Sequence, residues 1–162
     1  MSAVQFRQAT PDDAAAVLAV KRAAIREVAG FHYSDEQIAA WAPDQDGLAD
    51  FERAIGSDRF TVLLAEADGE TAGYGVLNAD AGRIEAAYVH PDHGGEGIGS
   101  SLVGQLETRA EMRDVDRLDV VAALNATGFY ESLGYWHLDT EVRTIDGVDV
   151  EFAIMARHLD GA

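Results

Sequence analysis

The sequence predicts an α/β (α+β) chain built on a mixed, mostly antiparallel sheet of about seven strands with flanking helices. Three observations carry this. Short apolar runs punctuated by Asp-Gly and Ala-Gly turns fill residues 60–89 and 135–157, the texture of hairpins and meanders. Two longer stretches, 10–28 and 97–113, repeat their apolar residues at helical spacing instead. No repeat, linker or low-complexity tract interrupts them, so residues 1–162 read as a single domain whose 48% apolar content can fill one core.

In order, residues 4–8 (VQFRQ) alternate as a first strand. Thr10-Pro11-Asp12-Asp13 is a helix start: an N-cap hydroxyl, proline at the first helical position and acids in the first turn. That helix runs to about Val28, with Ala14, Val17, Leu18, Ile25 and Val28 on one face and Gly30 ending it. Ser34, with Gln37 three residues on, is a capping box for a short helix carrying Ile38 and Trp41, which Pro43 stops. Asp46 to Ile55 reads as a third short helix or an irregular segment. From Phe60, FTVLLAE, TAGYGVLN and RIEAAYVH form an antiparallel meander through turns at Asp68-Gly69 and Ala81-Gly82. A glycine loop and a helix of about 97–113 follow. Arg117 to Ala122 is then a buried strand, Thr127 to Leu133 a short helix, and Tyr135 to Arg143 with Val148 to Arg157 a closing hairpin around Asp146-Gly147.

Composition excludes several function classes. There is no cysteine, which removes disulfides, thiolate metal sites and a cysteine nucleophile together. No signal-like start or bilayer-length apolar run is present, so a cytoplasmic location without membrane attachment is expected. Acidic residues number 29 against 12 basic ones, a net charge of −17 that makes nucleic acid a poor partner. Two readings of the acidity compete: steering of a cationic amine, or a hydrated carboxylate surface of the halophilic kind. The acids are scattered over every segment and lysine is nearly absent, which a local substrate site does not explain.

The stretch VHPDHGGEGIGSSLV, from Val89 to Val103, joins a strand to a helix in which Ile98, Leu102, Leu106 and Ala110 recur every fourth residue. A strand, a glycine-rich turn and a helix N-terminus make an anion site, because backbone N–H groups and the helix dipole converge there. A nucleoside-triphosphate P-loop is excluded, since Ser100 and Ser101 follow Gly99 with no lysine in the loop, and a dinucleotide fingerprint fits poorly so far along the chain. The segment Gly94-Gly95-Glu96-Gly97-Ile98-Gly99 after the V-x-P of Val89 to Pro91 resembles motif A of the GNAT superfamily of acyl-CoA-dependent N-acetyltransferases. NATGFYESLGYW, from Asn125, is similar to that family's second signature, and the resemblance extends over nearly the whole chain.

That resemblance implies a sheet splayed between its fourth and fifth strands, with acetyl-CoA as co-substrate and the pantetheine arm in the wedge. It implies that Ala87, Tyr88 and Val89 bond the arm through their backbone, with Val89 N–H near the oxyanion, and that Gly94, Gly95, Glu96, Gly97, Ile98, Gly99 and Ser100 hold the pyrophosphate, with His93 beside them. Asn125 is expected on the pantetheine, or else as a helix cap. Tyr130 stands at the position of the family's general acid, which protonates the leaving thiolate; a tyrosine packed in the core is the alternative. Glu85, the one carboxylate of its strand, is the candidate base, with an ordinary solvated strand-end carboxylate as the alternative, and strict alternation puts it on the face of Ala87 and Val89. Two departures stand out: Gly94 where Arg or Gln is usual, and Glu96 where a basic residue is common. Phe31, Tyr33 and Trp41 fall in the region that roofs the acceptor pocket in this fold, where selection of the substrate and plain packing are the two readings. No metal is expected, since His90 and His93 lack a metal-ligand pattern. The expected acceptor is a small-molecule or peptide amine, and a homodimer is compatible with the reading. A GNAT-like acyl-CoA sensor without turnover, and an acyltransferase for hydroxyl groups or longer chains, are the competing readings.

Overall fold

Residues 4–28, 32–42 and 47–159 are described by the computed structural model. Seven strands, β1 (Val4–Gln8), β2 (Thr61–Ala67), β3 (Glu70–Asn78), β4 (Arg83–Val89), β5 (Arg117–Ala123), β6 (Trp136–Ile145) and β7 (Val148–His158), form one sheet in the order β1-β2-β3-β4-β5-β7-β6. Every neighbouring pair is antiparallel except β4–β5. The β2–β3 and β6–β7 hairpins turn on Asp68-Gly69 and Asp146-Gly147, all four residues at positive φ, the two-residue geometry that the Asp-Gly dipeptides announce.

Among the described residues, five α-helices cover the two faces: α1 (Ala14–Val28), α2 (Asp35–Trp41), α3 (Leu48–Ile55), α4 (Ile98–Met112) and α5 (Thr127–Ser132). The Ser34–Gln37 capping box closes in both directions, at 3.1 and 2.9 Å. The start at Thr10 differs from expectation. Pro11–Asp13 is a 3-10 turn rather than the first α turn, and the Asp13 carboxylate accepts from the Thr10 N–H (2.8 Å) while it pairs with Arg7. The expected helix stops at Gly30 and Pro43 lie outside the described residues, as does Phe31.

Alternation along the strands separates two cores. Leu63, Leu77, Ile84 and Leu118 pack against the stripe Leu102, Leu106 and Ala110 of α4. Leu64, Val62, Tyr74 and Val76 pack on the opposite face against Ala14, Val17 and Val20 of α1. Gly75 lets α4 approach, since a Cβ there would meet Leu106 Cδ1 at 2.5 Å. The parallel pairing of β4 with β5 covers only Arg83↔Asp119 and Ile84↔Val120, so the two strands part beyond Ile84. This is the splay that the sequence resemblance implies.

Candidate active site

β4 is the element on which the site is built. His90 N–H bonds to Ala72 C=O at 2.7 Å, and in an antiparallel ladder alternate residues exchange such bonds. Tyr88 therefore bonds to Tyr74 of β3, while Ala87 and Val89, opposite Gly75 and Gly73, point their N–H and C=O groups to the other edge. That edge faces the gap where β5 has departed. Two peptide units are thus presented to a ligand as an unpaired strand.

Strict alternation fails at Glu85. Val76 pairs with Ala86 and Leu77 with Ile84, leaving Glu85 as the extra residue of a β-bulge. The bulge shifts the phase of the strand: Ile84 and Ala87 pack on the α4 side, whereas Ala86 and Tyr88 pack on the α1 side. Glu85 lines the same cavity as Ala86 and Tyr88, and so lies across the sheet from Ala87 and Val89 rather than beside them. Its carboxylate is paired with Arg83 Nε.

Three cavities run through the splay. A cavity of about 180 Å³ on the α4 side is lined by Ala87, Val89, Gly99, Phe129 and Tyr130. A cavity of about 130 Å³ within the gap shares Ala87, Val89, Ala126 and Tyr130 with it and adds Asn125. The largest, about 350 Å³, lies on the α1 side and shares Trp41, Tyr88 and Val121 with the middle one. Because they share walls, the three lie in a row that traces a passage across the sheet, with Tyr130 near one end and Glu85 at the other.

Tyr130 is 3% exposed, and its ring packs edge-on against Phe129 and Tyr135 with centroids at 5.0 and 5.5 Å. Among the described residues its hydroxyl has no hydrogen-bond partner, yet it is not a sealed buried group. Burial pushes its pKa well above the ordinary 10.0, so the phenol keeps its proton throughout the neutral range. Core packing and an available proton coexist in this residue. Asn125 lines the middle cavity but does not cap α5, whose N-cap is Ala126 with no side-chain bond.

The glycine loop ends at α4, where Gly97 is the N-cap at φ +80° and no side chain caps the helix. The first-turn donors of α4 therefore have no partner within the helix. A Cβ at Gly95 or Gly97 would meet nothing within 4 Å, so the loop is open, and positive φ at both is what selects glycine. Gly94 differs, since its N–H is spent on Pro91 C=O at 3.1 Å. Gly99 differs too: its Cβ would meet Phe129 Cζ at 3.3 Å, so its small size sets how α4 meets α5. Ile98 is buried under the loop and Ser100 is exposed. The Glu96 carboxylate turns to His93 Nδ1 at 3.3 Å, and the other ring nitrogen faces Glu70 at 3.7 Å. Uncapped donors and open space fit a phosphate group held by backbone.

Tyr33 is not among the lining residues. Its hydroxyl donates to Glu151 C=O (2.5 Å) and accepts from Leu124 N–H (3.0 Å), tying β7 to the turn after β5. Trp41 does line the passage, edge-on to Tyr33 at 5.1 Å and Phe152 at 5.0 Å. The sequence reading did not pick out Lys21, Phe51, Tyr74, Arg143 or Phe152, which also line the large cavity. They come from α1, α3, β3, β6 and β7, and a local motif carries no trace of such a gathering. Among the described residues no group of His, Cys, Asp and Glu is placed to hold a metal ion, and no helix is long and apolar enough to cross a membrane.

A family model described as an acetyltransferase (GNAT) domain matches residues 31–151. An acetyltransferase of Yersinia enterocolitica is 32% identical over an alignment 127 residues long, with 70% of this chain and 90% of that protein covered. The crystal structure of a GCN5-related N-acetyltransferase from Rhodopseudomonas palustris superposes with a TM-score of 0.90 at 32% identity, covering 98% of each chain. The PaiA N-acetyltransferase of Thermoplasma acidophilum, solved with coenzyme A, shares the fold at a TM-score of 0.75 and 20% identity, over 97% of this chain and 99% of that one.

Proposed function

The chain belongs to the GNAT acetyltransferase family, and from that premise we propose that it transfers the acetyl group of acetyl-CoA to a primary amine by direct attack in a ternary complex. The observation that carries this reading is the β4–β5 splay, with unpaired peptide groups at Ala87 and Val89, two residues that line both the middle cavity and the one on the α4 side. In it the pyrophosphate rests on the donors of Gly95 to Ser100 and the helix dipole of α4. The pantetheine arm pairs with Ala87 and Val89 as an added strand, beside Asn125, and brings the thioester to the middle cavity.

The amine enters from the large cavity. Its lone pair attacks the thioester carbon, a C–N bond forms, and the carbonyl oxygen gathers charge that Val89 N–H is positioned to meet. As the C–S bond breaks, Tyr130 gives its proton to the departing thiolate. The amine gives its own to Glu85 through water, and the acid and base stand at opposite ends of the passage. A location in the cytoplasm, an acidic surface suited to high salt and a single-domain organisation are part of the same proposal.

Release of free CoA thiol from acetyl-CoA in the presence of an amine panel tests the reaction. Binding without turnover would assign the chain to a sensor role instead. Glu85→Gln is expected to lower kcat/KM about 10-fold at neutral pH, with partial recovery as rising pH deprotonates the amine unaided. A pH profile equal to that of the parent would remove Glu85 from the role of base.

A further inference from the structure

The large cavity specifies more than an amine. Its apolar walls include the rings of Trp41, Phe51, Tyr74, Tyr88 and Phe152, and its charged lining consists of Glu85, Asp50, Arg143 and Lys21. Three of those four charges already have partners of their own. Glu85 pairs with Arg83, Asp50 with Arg53, and Arg143 Nε with Glu141 at 2.8 Å. Lys21 has none: among the described residues its ammonium lies over the Phe51 ring at 5.6 Å, with no carboxylate within 4.0 Å. It is also the chain's one lysine among 12 basic residues. Every other basic residue is an arginine, Arg143 of this cavity included, and the compact ammonium on its flexible stem occurs only here.

Asp50 acts on Lys21 only through space and is itself paired with Arg53, so this partly buried cation is incompletely compensated, and an incoming anion relieves that cost. Burial lowers the Lys21 pKa and Asp50 opposes that shift, so an anionic ligand also restores the charged form. The cavity, about 350 Å³, is at the small end of ligand sites. A molecule that reaches both Lys21 and the thioester in that space carries its anion close to its amine. We infer that the acceptor is an α-amino acid with an apolar side chain, its carboxylate received by Lys21, its side chain against the aromatic walls and its amine directed to the middle cavity. This rests on the acetyltransferase reading above and supplies its substrate class.

The test compares amines that differ only in the carboxylate: L-phenylalanine with 2-phenylethylamine, L-leucine with 3-methylbutylamine, and L-methionine with 3-(methylthio)propylamine, alongside spermidine and a peptide with a free N-terminus. In the parent protein kcat/KM should favour the amino acid of each pair by about 10-fold or more. Lys21→Met should bring that ratio towards one, and Lys21→Arg should retain part of it. Equal or reversed ratios in the parent, turnover confined to spermidine or the peptide, or a ratio that survives Lys21→Met would overturn the inference and leave the acetyltransferase reading standing. Turnover with none of the amines, despite acetyl-CoA binding by calorimetry, would overturn both. Should Lys21→Met fail to fold, the parent ratios and Lys21→Arg decide the matter.

Discussion

On the α4 side of the sheet the surface offered to a ligand is mainly backbone: the turned-out peptides of Ala87 and Val89, the open loop at Gly95 and Gly97, and the uncapped start of α4. On the α1 side it is mainly side chain, with rings and charges from α1, α2, α3, β3, β4, β6 and β7. A backbone site must be contiguous, because the chain's own course shapes it. A side-chain site can be assembled from anywhere, and its shape and charge follow from the side chains that happen to meet there. One side is therefore suited to a constant co-substrate and the other to a variable acceptor.

The sharpest test of that division is Tyr130→Phe, which keeps the ring packing and removes only the hydroxyl. kcat is expected to fall about 10²-fold, with acetyl-CoA affinity by calorimetry little changed. Because burial raises the Tyr130 pKa, the parent should show no loss of kcat from tyrosine ionisation near the ordinary 10.0. Full activity in the variant would make Tyr130 a packing residue alone.

A smaller effect is expected from Gly97→Val. A β-branched residue at φ +80° is strained whatever the space around it, at a cost of about 1–3 kcal/mol. CoA should bind about 10-fold more weakly while the acceptor KM stays close to that of the parent. If the acceptor KM moved as much as the CoA affinity, the two sides would not be separable.

Tyr33→Phe tests the opposite side through stability. It strands Leu124 N–H and Glu151 C=O, and a loss of about 1–3 kcal/mol is expected in denaturant unfolding. An unchanged midpoint would mean that water replaces the hydroxyl. The smallest effect belongs to Asp13, remote from both sides. Its hydrogen bond with Arg7 lowers its pKa from 3.8 to about 2. The stability it contributes is therefore complete above 3.8 and is lost as pH falls through about 2. With Arg7 43% exposed, this amounts to about 1 kcal/mol or less, readable as a weaker acid dependence of Tm in Asp13→Asn.

Local chemistry was enough to read much of this molecule. The Ser34–Gln37 box, the two Asp-Gly hairpins and the Ile98, Leu102, Leu106, Ala110 stripe each depend on residues within a few positions of one another, and all stand where the sequence puts them. The glycine loop was legible for the same reason. Glu85 was legible as a residue but not in its direction, because a bulge is set by the register against β3, which the strand's own pattern does not contain. The two bonds of the Tyr33 hydroxyl were not legible, because they reach Leu124 and Glu151, far along the chain.

By itself, then, the sequence determined the order of elements, the family resemblance and the glycine-rich loop before α4, since short-range propensity and spacing specify these. Only the tertiary structure decided which face Glu85 looks to, that Tyr33 is a strut, and that the chain's one lysine stands in the cavity with Arg143 and the aromatic rings. Those facts depend on where distant segments meet, which long-range packing settles rather than any local pattern.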